Sequence, residues 1–197
     1  MILHMYPIIL LLIIFAITVP FFLSRTLSPI PYFPTNKADV PIIATILHEL
    51  VLKNRTNRPV FIVDLGAGTG EVLFEASQQG FEPPELKGSS GRSKKPTKFI
   101  LIENNPWLAL ILQIKRLFHP NKDAIEILRA NMFKDKLPYA SIVYIYVGPY
   151  VMDRVKKLLE KMESGTYVVS YFYEIPGWEK KLIKKVSGKH EVFVYQL

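Results

Sequence analysis

The segment 64–70 reads DLGAGTG and places a carboxylate two residues before the first of three glycines. It follows an apolar run at 60–63 and precedes a predicted helix, which is the context of a ligand-binding turn after a buried strand. Glycines let the backbone turn sharply and approach a ligand where a Cβ would collide. Dinucleotide-binding loops are spaced G-x-G-x-x-G, whereas the spacing here is G-x-G-x-G. The pattern predicts a nucleotide-type cofactor site, with a dehydrogenase loop and a plain tight turn as the alternatives.

A second carboxylate, Glu103, ends the next predicted strand at 99–102. An acid at this place can accept hydrogen bonds from both hydroxyls of a ribose. The gap between the glycine segment and Glu103 is long, and a polar insertion at 82–98 accounts for it. We therefore expect Asp64 and Glu103 to contact different parts of one cofactor.

The acid followed by G-x-G-x-G resembles the first motif of class I methyltransferases, which bind S-adenosylmethionine. The resemblance implies that Asp64 and the loop hold the methionine end of that cofactor. It also implies a Rossmann-like fold. The cofactor-binding residues expected in the loop and after the second and third strands are Asp64, Gly66, Gly68, Gly70, Glu103, Asn104, Asn131 and Met132.

Three further segments narrow the resemblance: PYFPT at 31–35, NPWL at 105–108 and EIPGW at 174–178. Together they resemble a small family of protein lysine methyltransferases that acts on the ATP synthase c-subunit and on the adenine nucleotide translocase, with broad-specificity archaeal members. The resemblance covers about residues 28–180. It implies that Tyr32 and Thr35 close over the cofactor and that Asn131 lies near the adenine. Thr69 stands where the family usually has Asp, and Asn131 where it often has an acid.

Alternating apolar strands and amphipathic helices predict an α/β class I methyltransferase sheet, mostly parallel, with helices on both faces and an antiparallel hairpin at the C-terminal end. Predicted strands lie at 60–64, 99–102, 125–128, 142–147 and 167–173, and the hairpin at 181–186 and 191–195. Helices are predicted at 37–53 and 69–79, after the cap Asn105, and at 151–162.

The carboxyl ends of the fourth and fifth strands predict the methyl-acceptor channel, because α/β sheets bind ligands there. The expected catalytic residues are Tyr146, Tyr150, Phe172 and Glu174, beside Gly148 and Pro149. An aromatic lining suits an amine cation before and after methylation. The two tyrosines are equally consistent with plain packing.

Residues 5–23 carry no charge and would span about 28 Å as a helix, close to the roughly 30 Å core of a bilayer. We expect an uncleaved transmembrane anchor at 1–25, a proline-rich connection at 26–36 and a methyltransferase domain at 37–197. A signal peptide and a buried helix are the alternatives. Arg25 and Lys37 follow the segment, which favours a single-pass membrane protein with its domain on the cytoplasmic side.

The net charge of +8 favours contact with acidic surfaces, but it does not distinguish anionic lipid from nucleic acid or an acidic protein. Cysteine is absent from the chain. His48-Glu49 begins like a zinc-binding His-Glu-x-x-His motif, but no histidine follows four residues after His48, so no metal site is expected. Lysines and arginines at 154–161 and 180–185 are expected to be solvated or to contact anionic lipid.

The expected partner is a protein with an accessible lysine, and a membrane protein is the natural candidate. A lipid or quinone methyltransferase and a non-catalytic, membrane-tethered cofactor-binding module are the alternatives. Nucleic acid is not expected, because VGPY at 147–150 replaces the Asn/Asp-Pro-Pro-Tyr-type motif of many nucleic-acid methyltransferases.

Overall fold

The computed structural model describes residues 6–12, 14–15, 18, 33–54, 59–79 and 97–197. Residues 6–12, 14, 15 and 18 are helical, and the large apolar side chains described there, from Tyr6 to Phe15, are exposed. Within these described ranges, no helix has both the length and the apolar character needed to cross a membrane. The expected anchor and connection lie largely outside the described residues.

Among the described residues, seven strands form one sheet in the order β3-β2-β1-β4-β5-β7-β6. The strands are β1 Val60–Leu65, β2 Thr97–Glu103, β3 Ile125–Arg129, β4 Ile142–Ile145, β5 Tyr167–Tyr171, β6 Leu182–Ser187 and β7 Glu191–Gln196. The first five pair in parallel, whereas β7 pairs antiparallel with β5 and with β6. The predicted parallel sheet with a C-terminal hairpin is therefore confirmed.

In the described part of the chain, four α-helices flank the sheet: α1 Val40–Lys53, α2 Glu71–Gln78, α3 Pro106–Leu117 and α4 Met152–Leu159. The Asn105 side chain accepts hydrogen bonds from the Trp107 and Leu108 backbones, so it caps α3 as predicted, with Pro106 in the first turn. α1 begins at Val40 rather than at the predicted Lys37, because residues 37–39 form a turn.

Two apolar layers hold the helices to opposite faces of the sheet. One layer joins α1, α2 and α3 to the sheet through Leu47, Leu73 and Leu112. The other joins α4 and the segment that follows β5 through Val155 and Trp178. Because full burial of each large apolar side chain contributes about 1.5–3 kcal/mol, these layers hold the strand ends in fixed positions.

β4 and β5 end two residues earlier than predicted, at Ile145 and Tyr171. Phe172 has a φ of +73°, a left-handed conformation that no other non-glycine residue adopts in the described part of the chain. Such a backbone costs an aromatic residue about 1–3 kcal/mol. β5 therefore ends in a bend that turns the chain away from the sheet at its carboxyl edge.

Candidate cofactor and acceptor site

A cleft opens at the carboxyl ends of β1 and β4 and encloses about 340 Å³, including the part open to solvent. Parallel pairing places Asp64 of β1 beside Tyr144 of β4. The lining includes residues from the glycine loop, from β4 and from the chain before α1: Phe33, Thr35, Asp64, Gly66, Tyr144 and Tyr146. The cleft lies where the sequence predicts the cofactor.

The glycine loop is held against β2 by its own backbone. The N–H groups of Gly66 and Ala67 both donate to the Ile102 carbonyl, at 2.9 Å each. Gly66 and Gly68 have φ values of +86° and +57°, which side-chain-bearing residues rarely adopt. Met132 lies directly behind the loop, since a Cβ on Gly66 would stand 3.2 Å from its Cε atom. The loop is thus a fixed wall of the cleft.

Glu103 is buried, and both of its carboxylate oxygens accept backbone hydrogen bonds. Oε2 accepts from the Gly68 N–H at 2.8 Å and Oε1 from the Asn105 N–H at 2.7 Å. Burial raises the pKa of Glu103, and the N–H groups of Asn105, Gly68 and Asn104 partly offset that rise. Glu103 therefore ties the glycine loop to the start of α3. Each oxygen keeps a second lone pair, and its predicted bond to the ribose stays a prediction.

Asp64 is almost fully buried and faces the cleft. Burial, and then the nearby Glu103 carboxylate, raise its pKa well above the usual value. Burial and Asp64 raise the pKa of Tyr144 as well, so this phenol keeps its proton. A cation in the cleft would relieve the repulsion between the two carboxylates. S-adenosylmethionine carries an ammonium and a sulfonium, so the residues present fit this cofactor.

The chain before α1 crosses the carboxyl ends of β4 and β5. The Thr35 hydroxyl lies 3.1 Å from the Tyr144 hydroxyl, and Phe33 also lines the cleft. The Asn36 N–H donates to the Tyr171 hydroxyl at 3.4 Å. Thr35 therefore lies beside the cleft, and its predicted closure over the cofactor stays a prediction. Its predicted companion Tyr32 lies outside the described residues.

Asn131 follows β3 at the same edge of the sheet. Its side-chain oxygen accepts from the Phe133 N–H at 2.9 Å, and its own N–H donates to Asp135 at 2.7 Å. The side chain is half-buried, and these bonds fix its orientation. Its predicted contact with the adenine stays a prediction.

The four residues predicted for the acceptor side differ in their surroundings. Tyr146 is half-buried, lines the cleft and packs edge-on against Tyr171 with ring centroids 4.8 Å apart. Tyr150 and Phe172 are exposed. The Glu174 side chain is 62% exposed and lies 4.0 Å from the Lys185 amine. Of these four, only Tyr146 is among the residues that line the described cleft; the roles of all four stay predictions.

The sequence did not predict a buried cluster of Asp39, Tyr171 and His190 beside this site. Asp39 is fully buried and accepts hydrogen bonds from the Tyr171 hydroxyl at 2.7 Å and from the backbone N–H groups of Lys189 and His190 at 2.6 and 3.0 Å. The His190 Nδ1 atom lies 2.8 Å from the Tyr171 oxygen. The cluster fastens the chain before α1 to the β6–β7 turn. Its one signal in the sequence is an acid at the N-cap position of α1, whose side chain makes no capping hydrogen bond.

Gly70 was predicted to bind cofactor, and its surroundings show a second reason for glycine. A Cβ there would stand 2.5 Å from the Leu101 Cδ2 atom and 2.6 Å from the Leu112 Cδ2 atom, at a φ of +71°. We expect Gly70→Ala to lower the free energy of unfolding by about 2–4 kcal/mol, through overpacking added to backbone strain. Urea denaturation measures the loss.

Gly165→Ala is the matched control for this substitution. Gly165 has a similar φ of +89°, and nothing lies within 4 Å of a Cβ there. Backbone strain alone should therefore cost roughly 1–2 kcal/mol. Equal losses in the two variants would contradict the packing role given to Gly70.

Comparisons with known proteins agree with this geometry. A protein-lysine N-methyltransferase of Saccharolobus islandicus is 24% identical over 174 residues, which cover 86% of this chain and 96% of that protein. A lysine N-methyltransferase of the ATP synthase C-subunit, from Rattus norvegicus, is 23% identical over 85% of this chain and 68% of its own length. An adenine nucleotide translocase lysine N-methyltransferase of Mus musculus is 25% identical over 76% of this chain and 58% of its own length.

Solved structures share the fold. An RNA methyltransferase from Salinibacter ruber in complex with S-adenosyl-L-homocysteine superimposes with a TM-score of 0.65 at 20% identity, covering 83% of this chain and 93% of its own. An O-methyltransferase from Bacillus cereus gives a TM-score of 0.58 at 10% identity, covering 91% and 90%. At such identities the likeness extends to the fold alone.

The family model described as the ANTKMT methyltransferase domain matches residues 64–182, from the cleft carboxylate Asp64 to the first residue of β6. S-adenosyl-L-methionine is the cofactor that this family and the cleft chemistry share. The match spans more than half of the chain, and the protein is therefore a methyltransferase that belongs to this family.

Proposed function

We propose that the protein transfers a methyl group from S-adenosylmethionine to the side-chain amine of a lysine in another protein. The supporting observation is a carboxylate-bearing cofactor cleft that continues into aromatic side chains at the ends of β4 and β5. The relatives named as lysine methyltransferases support the same acceptor.

When bound, the cofactor supplies a methyl group that its sulfonium already activates. The protein's part is to align the acceptor, which can contribute roughly 7–11 kcal/mol. Asp64 places a buried carboxyl in the cleft, where a cationic ligand would favour its charged form, and the glycine loop forms the wall of the cleft. Phe33 and Thr35 also line the cleft.

A lysine must lose a proton before it accepts a methyl group, at a cost of about 4–5 kcal/mol near neutral pH. Tyr146 lines the cleft, and burial raises its pKa, as it does that of Tyr150. Both residues are therefore neutral phenols at physiological pH rather than bases. Their rings offer an apolar surface that disfavours the ammonium form of the acceptor and tolerates the methylated product.

The test is methyl transfer by the full chain in detergent, with S-adenosylmethionine labelled in its methyl group and membranes from cells that lack the gene. Label that stays with protein after lipid extraction is the expected result. Label that partitions with the lipid extract would contradict the lysine acceptor and favour a lipid or quinone. Cofactor binding without any transfer would favour the non-catalytic binding module.

The N-terminal segment acts, in this proposal, as a membrane anchor with the methyltransferase domain on the cytoplasmic side. Supporting this, the described apolar side chains of residues 6–15 are exposed on a helix, and the sequence at 5–23 carries no charge. Leu11→Lys with Phe15→Lys should release the protein from membranes on alkaline extraction, because a lysine in an apolar span costs about 2.5–3.5 kcal/mol. Unchanged retention of this double variant would contradict the anchor.

A further inference from the structure

The outer face of α3 is apolar where a surface helix is normally polar. Five large apolar side chains are exposed here, four on this face of α3 and one on the residue that follows the helix. They are Leu110, Ile111, Ile114, Leu117 and Phe118, with Phe118 85% exposed. We call this set the α3 apolar face. It is a contiguous exposed patch of the kind that marks an interaction surface.

The core does not account for the α3 apolar face. The inner side of α3 packs on the sheet through Ala109 and Leu112, which are buried. On the other face of the sheet, α4 has the usual amphipathic pattern, with its apolar side buried against the sheet. Its exposed positions carry Asp153, Arg154 and Lys157. An exposed apolar face of this size indicates an interaction outside the sheet.

The charge around the α3 apolar face is positive. Residues 106–122 contain no Asp or Glu, whereas Lys98, Arg116 and Lys122 are exposed or half-exposed beside the end of the helix. One exposed acid, Asp123, lies next to them, so the net charge at this end is positive. Arg116 is held there by hydrogen bonds from Nε to the Lys122 and Ile125 carbonyls, at 3.1 and 2.6 Å. The partner must therefore offer an apolar layer beside negative charge.

We infer that the α3 apolar face lies in the interfacial layer of a phospholipid bilayer that contains anionic headgroups. A bilayer supplies apolar chains beneath negative charge, and amphipathic helices with basic flanks insert in this way. A second copy of the chain would place Arg116 and Lys122 against like charges.

This second attachment goes beyond the proposed anchor, which only tethers the chain. α3 starts shortly after Glu103, so a membrane contact along α3 would fix the direction in which the cofactor cleft faces. The acceptor protein would then be presented to the cleft from the membrane surface.

The test uses the absence of cysteine from the chain, because one introduced cysteine is the only thiol to label. Full-length Phe118→Cys, Ile114→Cys and Leu11→Cys carry a bimane fluorophore and are reconstituted with phosphatidylcholine and phosphatidylglycerol vesicles that contain a doxyl-labelled lipid. Lys157→Cys on α4 is the matched control on the opposite face of the sheet. We expect loss of fluorescence at 118, 114 and 11, and none at 157.

Each other outcome has a distinct meaning. Quenching at 11 but not at 114 or 118 would overturn the inference and leave the proposed anchor intact. Quenching at none of the positions would overturn both. Protection of the 118 label from aqueous iodide without lipid, or a disulfide between two Phe118→Cys chains, would assign the face to the chain itself or to a second copy and also overturn the inference.

Discussion

Replacing Asp64 with asparagine should weaken the binding of S-adenosylmethionine roughly 30-fold or more while making the cofactor-free protein more stable. Removing one partner of a buried charge pair typically costs about 2–5 kcal/mol of binding free energy, and about 1.4 kcal/mol is tenfold. The substitution also removes a carboxylate whose charge is opposed by burial and then by Glu103, the two causes of its raised pKa. Titration calorimetry and thermal unfolding of the same samples measure the two effects.

The stabilisation by Asp64→Asn has a predictable pH dependence. Because the folded state raises the pKa of Asp64 above its ordinary value of 3.8, folding favours the protonated carboxyl. The wild-type protein therefore loses stability relative to the variant as the pH rises from about 4 towards the raised pKa. The difference in Tm should be small near pH 4 and should grow as the pH rises towards the raised pKa.

Glu126→Gln on the exposed side of β3 is the control, because it removes the same charge away from the cleft. It should leave cofactor affinity and Tm nearly unchanged. If Asp64→Asn bound the cofactor as tightly as the wild type, the placement of the cofactor's positive charge beside Asp64 would be wrong.

Asp39→Ala should lower the free energy of unfolding by about 3–5 kcal/mol, the largest stability effect that we expect from a single polar substitution here. It would leave the Tyr171 hydroxyl and the N–H groups of Lys189 and His190 without their buried acceptor. Since whole domains are stable by about 5–15 kcal/mol, this variant risks failing to fold. Asp39→Asn keeps one acceptor oxygen and should lose roughly 1–3 kcal/mol.

The pH dependence of the Asp39 effect has the opposite sign to that of Asp64. Burial opposes the charged form of Asp39, but the hydrogen bonds from Tyr171, Lys189 and His190 outweigh it and lower the pKa. The carboxylate therefore stabilises the folded protein above the unfolded pKa of about 3.8, and this contribution disappears as the pH falls through the lowered value. Urea denaturation of wild type and Asp39→Asn should differ most near pH 7 and converge in acid.

Asp153→Asn, an exposed acid in the first turn of α4, is the matched control and should change stability by less than about 1 kcal/mol. Equal losses for Asp39→Asn and Asp153→Asn would show that the buried cluster does not fasten the chain. Asp39→Asn should also lower the affinity for the cofactor. Phe33 and Thr35 line the cleft and precede Asn36, whose N–H donates to the Tyr171 hydroxyl of the Asp39 cluster.

Short-range patterns were enough to predict the order and type of the elements. β1, β2 and β4 each contain an unbroken run of apolar residues, and Asn105-Pro106 is a local start signal that the structure uses as predicted. The ends of β4 and β5 were less predictable. Tyr146 and Tyr173 continue the apolar pattern, whereas the left-handed Phe172 depends on contacts of the folded chain, such as its N–H bond to the Glu191 carbonyl at 2.8 Å.

The cofactor side of the site could be predicted because its residues follow consecutive strand ends. The Asp39 cluster could not, since Asp39 meets His190 across 151 positions of sequence and neither belongs to a motif. The packing constraint at Gly70 could not be predicted either, because the Leu101 and Leu112 side chains reach it only when β2 and α3 have packed. Contacts of this kind depend on the packed fold rather than on local propensity.

The acceptor is tested most directly by amino-acid analysis of the protein fraction after methyl transfer from labelled S-adenosylmethionine, with Asp64→Asn run in parallel. We expect the label to elute as ε-N-methylated lysine and the variant to give little or none. Label recovered on any other amino acid, or only in lipid, would contradict lysine as the methyl acceptor.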